Sequence, residues 1–84
     1  MKKRILVVDD EEIVVRSCLR ILSGDQYDVD VANNGLEALT KISEQDYDMV
    51  ILDIMMPKMN GMEVLQRVKE THPDIDVIMI TGLN

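Results

Sequence analysis

Residues 49–65 read MVILDIMMPKMNGMEVL. The four apolar residues 49–52 do not alternate with polar ones, which fits a parallel strand covered on both faces. That run stops at a carboxylate, Asp53. Pro57 and Gly61 then bracket a loop, where the proline fixes φ and the glycine supplies backbone freedom at the helix entrance. Beyond it, Met62, Leu65 and Val68 mark a helix ending near His72-Pro73. A strand, a carboxylate and a crossover helix in this order decide the fold, because the same rhythm recurs on either side.

Upstream, Ile5-Leu6-Val7-Val8 is another unbroken apolar run, followed by Asp9-Asp10-Glu11-Glu12. Residues 12–23 turn helical, with Val15, Cys18, Leu19 and Leu22 on one stripe, and Gly24 is a suitable stop. Residues 29–32 form a second and more polar strand, as expected of a sheet edge. Asn33-Asn34-Gly35 breaks the chain before a helix marked by Leu36, Leu39 and Ile42. Residues 77–80, Val-Ile-Met-Ile, are a fourth strand.

Strands alternating with helices imply a parallel sheet with right-handed crossovers. The expected fold is α/β, one flavodoxin-like βαβαβαβ domain over residues 1–84 with strand order 2-1-3-4. This order puts the polar strand at an edge and the two most apolar strands in the middle. It also puts the switch point between strands one and three, and ligands bind at such points beyond the carboxyl ends of the strands. The first strand ends at Asp9-Asp10, the third at Asp53 and the fourth at Thr81. As neighbours roughly 4.8 Å apart, these strand ends bring carboxylates and a hydroxyl to one edge. Taken singly, Asp-Asp-Glu-Glu reads as a helix N-terminus and Asp53 as a loop acid. Jointly they form a site. Carboxylates this close either raise one pKa or take up a cation. Oxygen ligands with room for water suit Mg²⁺, held by Asp10 and Asp53, and Asp53 can then act as a phosphoryl acceptor.

Composition narrows the classes. The chain has 84 residues, 46% apolar and 30% charged, which is a globular mix. Sixteen acidic against nine basic residues leave a net charge of −7, so a nucleic-acid surface is not expected. No apolar run is long enough for a membrane span, and a lone cysteine, Cys18, fits a cytoplasmic protein. With seven methionines, two tyrosines and no Phe or Trp, the core must be aliphatic and Met-filled. Cys18 reads as a buried small hydrophobe, and His72 as a structural or solvent residue without a metal partner. There is no Gly-rich phosphate loop, Cys-x-x-Cys pair or Ser/His/Asp triad.

Three motifs in order, ILVVDDEE at 5–12, VILDIMMPKMNGMEVL at 50–65 and VIMITG at 77–82, closely resemble the response-regulator receiver domains of two-component signalling. The resemblance implies that Asp53 is the phosphoacceptor for a phosphohistidine on a sensor histidine kinase or histidine phosphotransfer domain. It implies an acidic Mg²⁺ pocket of Asp9 and Asp10, with the backbone carbonyl of Met55 as a further ligand. Thr81 becomes the hydroxyl that follows the phosphoryl group. Such a domain is not an enzyme beyond catalysing its own phosphorylation and dephosphorylation.

The family also carries a fourth helix, a fifth strand bearing a lysine, and a fifth helix. The chain reads as a receiver truncated before them. Strand 77–80 then becomes an apolar edge and the first helix is left uncovered, so a two-fold homodimer is expected. The rival reading is a receiver-shaped interaction module that neither switches nor takes phosphate. A phosphatase reading is weaker, because its Asp-x-Asp is replaced here by adjacent aspartates.

Overall fold

A computed structural model describes residues 2–22, 24–54, 56 and 59–80. Seven elements alternate along the chain: β1 (Lys3–Val8), α1 (Glu12–Ile21), β2 (Tyr27–Ala32), α2 (Gly35–Glu44), β3 (Met49–Asp53), α3 (Gly61–Thr71) and β4 (Asp76–Ile80). The strands are all parallel, in the order β2-β1-β3-β4. The expected order therefore holds, with the polar β2 at one edge and the apolar β1 and β3 in the middle. β2 begins two residues earlier than the sequence suggests, because Tyr27 and Asp28 pair with Lys3 and Arg4. Among the described residues β4 forms the opposite edge.

The main core lies between the sheet and the pair α2–α3. Leu6, Val8, Val50 and Leu52 meet Ala38 and Ile42 of α2 and Val64 and Val68 of α3 there. Each fully buried aliphatic side chain contributes about 1.5–3 kcal/mol. Ile5 and Val7 point to the other face, as the period of two in a strand requires. That face is thinly covered. α1 buries none of its residues, and Ile13 and Ile21 stand 78% and 79% exposed. Cys18 is half-buried rather than buried, so the expected stripe on α1 is only partly covered.

The buried faces of α2 and α3 differ from the sequence reading in an instructive way. Leu36 and Met62 were expected on the apolar stripes but are more than half exposed. The buried positions are instead Gly35, Ala38 and Ile42 on α2, and Gly61, Val64 and Val68 on α3. A hydrophobicity pattern does not count glycine, yet at both helix starts glycine is the residue pressed inward. The two helices in fact open on one repeated phrase, Asn34-Gly35-Leu36-Glu37 and Asn60-Gly61-Met62-Glu63. Each asparagine is an N-cap whose side-chain oxygen accepts from the backbone N–H of the glutamate, at 2.9 Å in α2 and 3.0 Å in α3.

A polar cluster ties the amino-terminal end of the sheet. The Tyr47 hydroxyl donates to Asp30 Oδ2 at 2.7 Å, and Arg4 reaches the same carboxylate while also donating to Gln45. The Arg4 guanidinium lies over the Tyr47 ring, 5.4 Å from its centroid. Burial, then the Asp30 carboxylate, push the Tyr47 phenol up to about 12. The protonated phenol is the form the fold prefers. Its stabilisation is therefore present below the phenol's ordinary value, near 10, and is lost as pH rises towards about 12. Thermal melts across that interval should show a steep fall in the natural protein and a shallower one in Tyr47→Phe; parallel curves would contradict the assignment.

Candidate functional site

The site is built by the pairing of β1 with β3. Val8 lies beside Leu52, so the next residue on each strand, Asp9 and Asp53, emerges at the same level of the sheet. Asp10 follows on the turn into α1. Ligand oxygens of Asp9, Asp10 and Asp53 all lie within 4.8 Å of one another. Asp9 is 2% exposed and Asp53 1%, whereas Asp10 reaches solvent. These are the only two buried charged side chains among the described residues.

Each is held from the backbone. The Asp9 N–H donates to Ala32 O of β2 at 3.1 Å, and Asp9 Oδ1 accepts from the Glu11 N–H at 2.8 Å. Asp53 is the last residue of β3 and pairs with Ile80 of β4. The following amide, Ile54 N–H, donates to Ile80 O at 3.0 Å. Neither backbone is free to drift. The Asp9 carboxyl sits above its ordinary value: burial raises it most, the Glu11 N–H partly offsets this, and the charges of Asp53 and Asp10 raise it further. The expected repulsion among clustered carboxylates is thus expressed at Asp9.

Of the expected site residues, Asp9, Asp10 and Asp53 come together. Thr81 and Met55 lie outside the described residues, as does Pro57 of the acceptor loop. The donor set fits a hard divalent cation. It is all carboxylate, compact enough for one ion, buried on two sides and open on the Asp10 side.

Gly61 was read as a source of backbone freedom, and the structure corrects this. The only described glycine with positive φ is Gly24, at +131°, in the turn after α1. Gly61 is needed for space. A Cβ built there would stand 2.4 Å from the Asp53 carbonyl oxygen. The repeated Asn-Gly-x-Glu phrase was the available signal, and hydrophobic periodicity passed over it.

A sequence model described as the response regulator receiver domain matches residues 5–84. Response regulator MprA of Mycobacterium bovis (strain BCG / Pasteur 1173P2) is 41% identical over 82 residues. That match takes in 98% of this chain and 36% of the relative, so the chain spans about a third of such a protein's length. A CheY-like receiver domain protein from Methanospirillum hungatei superposes with a TM-score of 0.93 at 34% identity, over 100% of this chain and 67% of that one. TrrA from Thermotoga maritima, solved in complex with Mg²⁺-BeF, gives 0.90 at 41% identity, over 98% and 71%. TrrA has also been solved in complex with histidine kinase ThkA, and that structure gives 0.88. A matching family model across almost the whole chain and close superposition on solved receiver domains agree: this chain belongs to the response regulator receiver domains of two-component signalling.

Proposed function

We propose that the chain accepts a phosphoryl group on Asp53 from a phosphohistidine, in a reaction that depends on Mg²⁺. The observation that carries this reading is the convergence of three carboxylates within 4.8 Å at the carboxyl ends of β1 and β3. The donor is a sensor histidine kinase or a histidine phosphotransfer domain, in the cytoplasm. TrrA, solved with a histidine kinase and with Mg²⁺-BeF, supports both the class of partner and the metal.

Asp9, Asp10 and Asp53 hold the ion, with the backbone carbonyl of Met55. When bound, Mg²⁺ supplies positive charge that offsets the carboxylates and the incoming phosphoryl oxygens. An Asp53 carboxylate oxygen attacks phosphorus as the P–N bond of the phosphohistidine breaks. The imidazole leaves with that bond's electron pair and takes a proton from solvent. The product is an acyl phosphate, which water later hydrolyses to restore the carboxylate. Thr81 donates a hydrogen bond to a phosphoryl oxygen. Asp9 keeps its Oδ1 engaged with the Glu11 N–H. The chain is a phosphoacceptor rather than an enzyme acting on other molecules.

A second reading concerns association. α1 leaves Ile13 and Ile21 bare, and on β4 Ile78 is 46% exposed. Such a surface favours a two-fold dimer of this chain. Bare apolar side chains favour association in the rival view too, in which the domain docks without taking phosphate.

Incubation with acetyl phosphate and Mg²⁺ should add one phosphoryl group by intact mass, and the gain should vanish in Asp53→Ala and with EDTA. No gain at any Mg²⁺ concentration would reject the phosphoacceptor reading and leave the docking module. In metal-free protein the Asp9 carboxylate bears the desolvation cost of burial and the repulsion of Asp53 and Asp10. Asp9→Asn should therefore raise the melting temperature in EDTA. Lowering the pH through the raised Asp9 value should stabilise the natural protein in the same way; a variant no more stable than the natural chain would count against that strain. Sedimentation at high protein concentration should give the mass of a dimer, and a folded monomer throughout would remove the two-fold reading.

A further inference from the structure

The approach of α3 to the acceptor strand is closer than any other glycine contact in the described chain. The three atoms nearest a Cβ at Gly61 would all be main chain: the Asp53 carbonyl oxygen at 2.4 Å, Ile54 Cα at 2.7 Å and the Asp53 carbonyl carbon at 3.0 Å. No rotamer change relieves such a contact. Gly35 occupies the same place in the repeated phrase on α2, and there a Cβ would meet the side chains of Val64 and Met59 instead, the nearest being Val64 Cγ2 at 2.7 Å. The two glycines are alike in sequence, burial and helix position. They differ in what they touch.

Gly61 also bonds where it presses. Its N–H donates to Ile54 O at 2.9 Å, while the Ile54 N–H donates across to Ile80 O at 3.0 Å. The main chain that follows Asp53 is thus held by β4 through the Ile54 N–H and by the first residue of α3 through the Ile54 carbonyl. The N-cap Asn60 sets the first turn of α3 against this peptide. We propose that Gly61 is a positioning residue for the Asp53 carboxylate, acting as a backstop through the Asp53–Ile54 main chain.

The magnitude supports a chemical effect as well as a structural one. Restoring an ordinary contact from 2.4 Å needs a displacement of about 1 Å at Asp53 O or at the start of α3. A misplacement of about 1 Å at a reacting group can cost on the order of 10²-fold in rate. The same methyl at Gly35 pushes on side-chain atoms of Val64 and Met59, and its nearest neighbours include none of the Asp53–Ile54 main chain. Both substitutions should therefore lower stability, and only the one at Gly61 should change the chemistry.

The test rests on the phosphoacceptor reading for its rate arm and not for its structural arm. Gly61→Ala and Gly35→Ala are compared with the natural protein, using acetyl phosphate at saturating Mg²⁺. Gly61→Ala should lower the maximal phosphorylation rate by about tenfold or more, with the half-saturating donor concentration changed by less than about threefold. Gly35→Ala should stay within about twofold in both. The NMR resonance of the Asp53 side-chain carboxyl carbon should move in Gly61→Ala and stay put in Gly35→Ala. If Gly61→Ala does not fold by circular dichroism, the pair Asn60→Ala and Asn34→Ala removes the same cap from each helix. Only Asn60→Ala should then slow phosphorylation and shift the Asp53 resonance. An unmoved Asp53 resonance, or equal losses of rate in both members of a pair, overturns the positioning role. A shifted resonance in a chain whose natural form takes no phosphate upholds the positioning role and overturns the phosphoacceptor reading instead.

Discussion

The parallel pairing of β1 with β3, in the register that sets Val8 beside Leu52, is the constraint on which the rest depends. It brings Asp9 and Asp53 out of the sheet at one level, with Asp10 a residue further on. Two carboxylates so placed are buried, close and of like charge, which no apolar core tolerates without compensation. The fold supplies part of it by aiming the Glu11 N–H at Asp9.

Around that pair the scaffold is asymmetric. One face of the sheet carries α2 and α3 over a continuous aliphatic core, with Gly35 of α2 pressed against Val64 of α3 and Gly61 of α3 against the exit of β3. The other face carries α1, which buries none of its residues. The well-packed side backs the acceptor strand and holds its exit peptide. The thinly covered side leaves Ile13 and Ile21 of α1 exposed. Close packing and exposed apolar side chains thus fall on opposite faces of one sheet.

Much of this was legible in the residues. Unbroken apolar runs at 5–8 and 49–52 marked central parallel strands, since a strand covered on both faces has no reason to alternate. The acidic flanks of β2 marked an edge. What hydrophobic periodicity missed was the inward turn of Gly35 and Gly61. It marks the helices by Leu36 and Met62, which stand more than half exposed, because it weighs side chains and glycine has none. The half-covered state of Cys18 was missed for a related reason. A stripe reveals which face of a helix is apolar, but not how much partner surface lies against it.

The sequence by itself determined the alternation of elements, the central and edge strands, and the residue types at each strand end, because these follow from local periodicity and turn chemistry. It also carried the three motifs that mark the family. Only the tertiary structure decided that Asp9, Asp10 and Asp53 stand within 4.8 Å, that burial raises the Asp9 carboxyl, and that Gly61 lies against the acceptor's main chain. The physical reason is range. Propensity and patterning act over a few residues, whereas carboxylate repulsion and close backbone contact arise between residues far apart in the chain, and exist only once parallel pairing has closed those gaps.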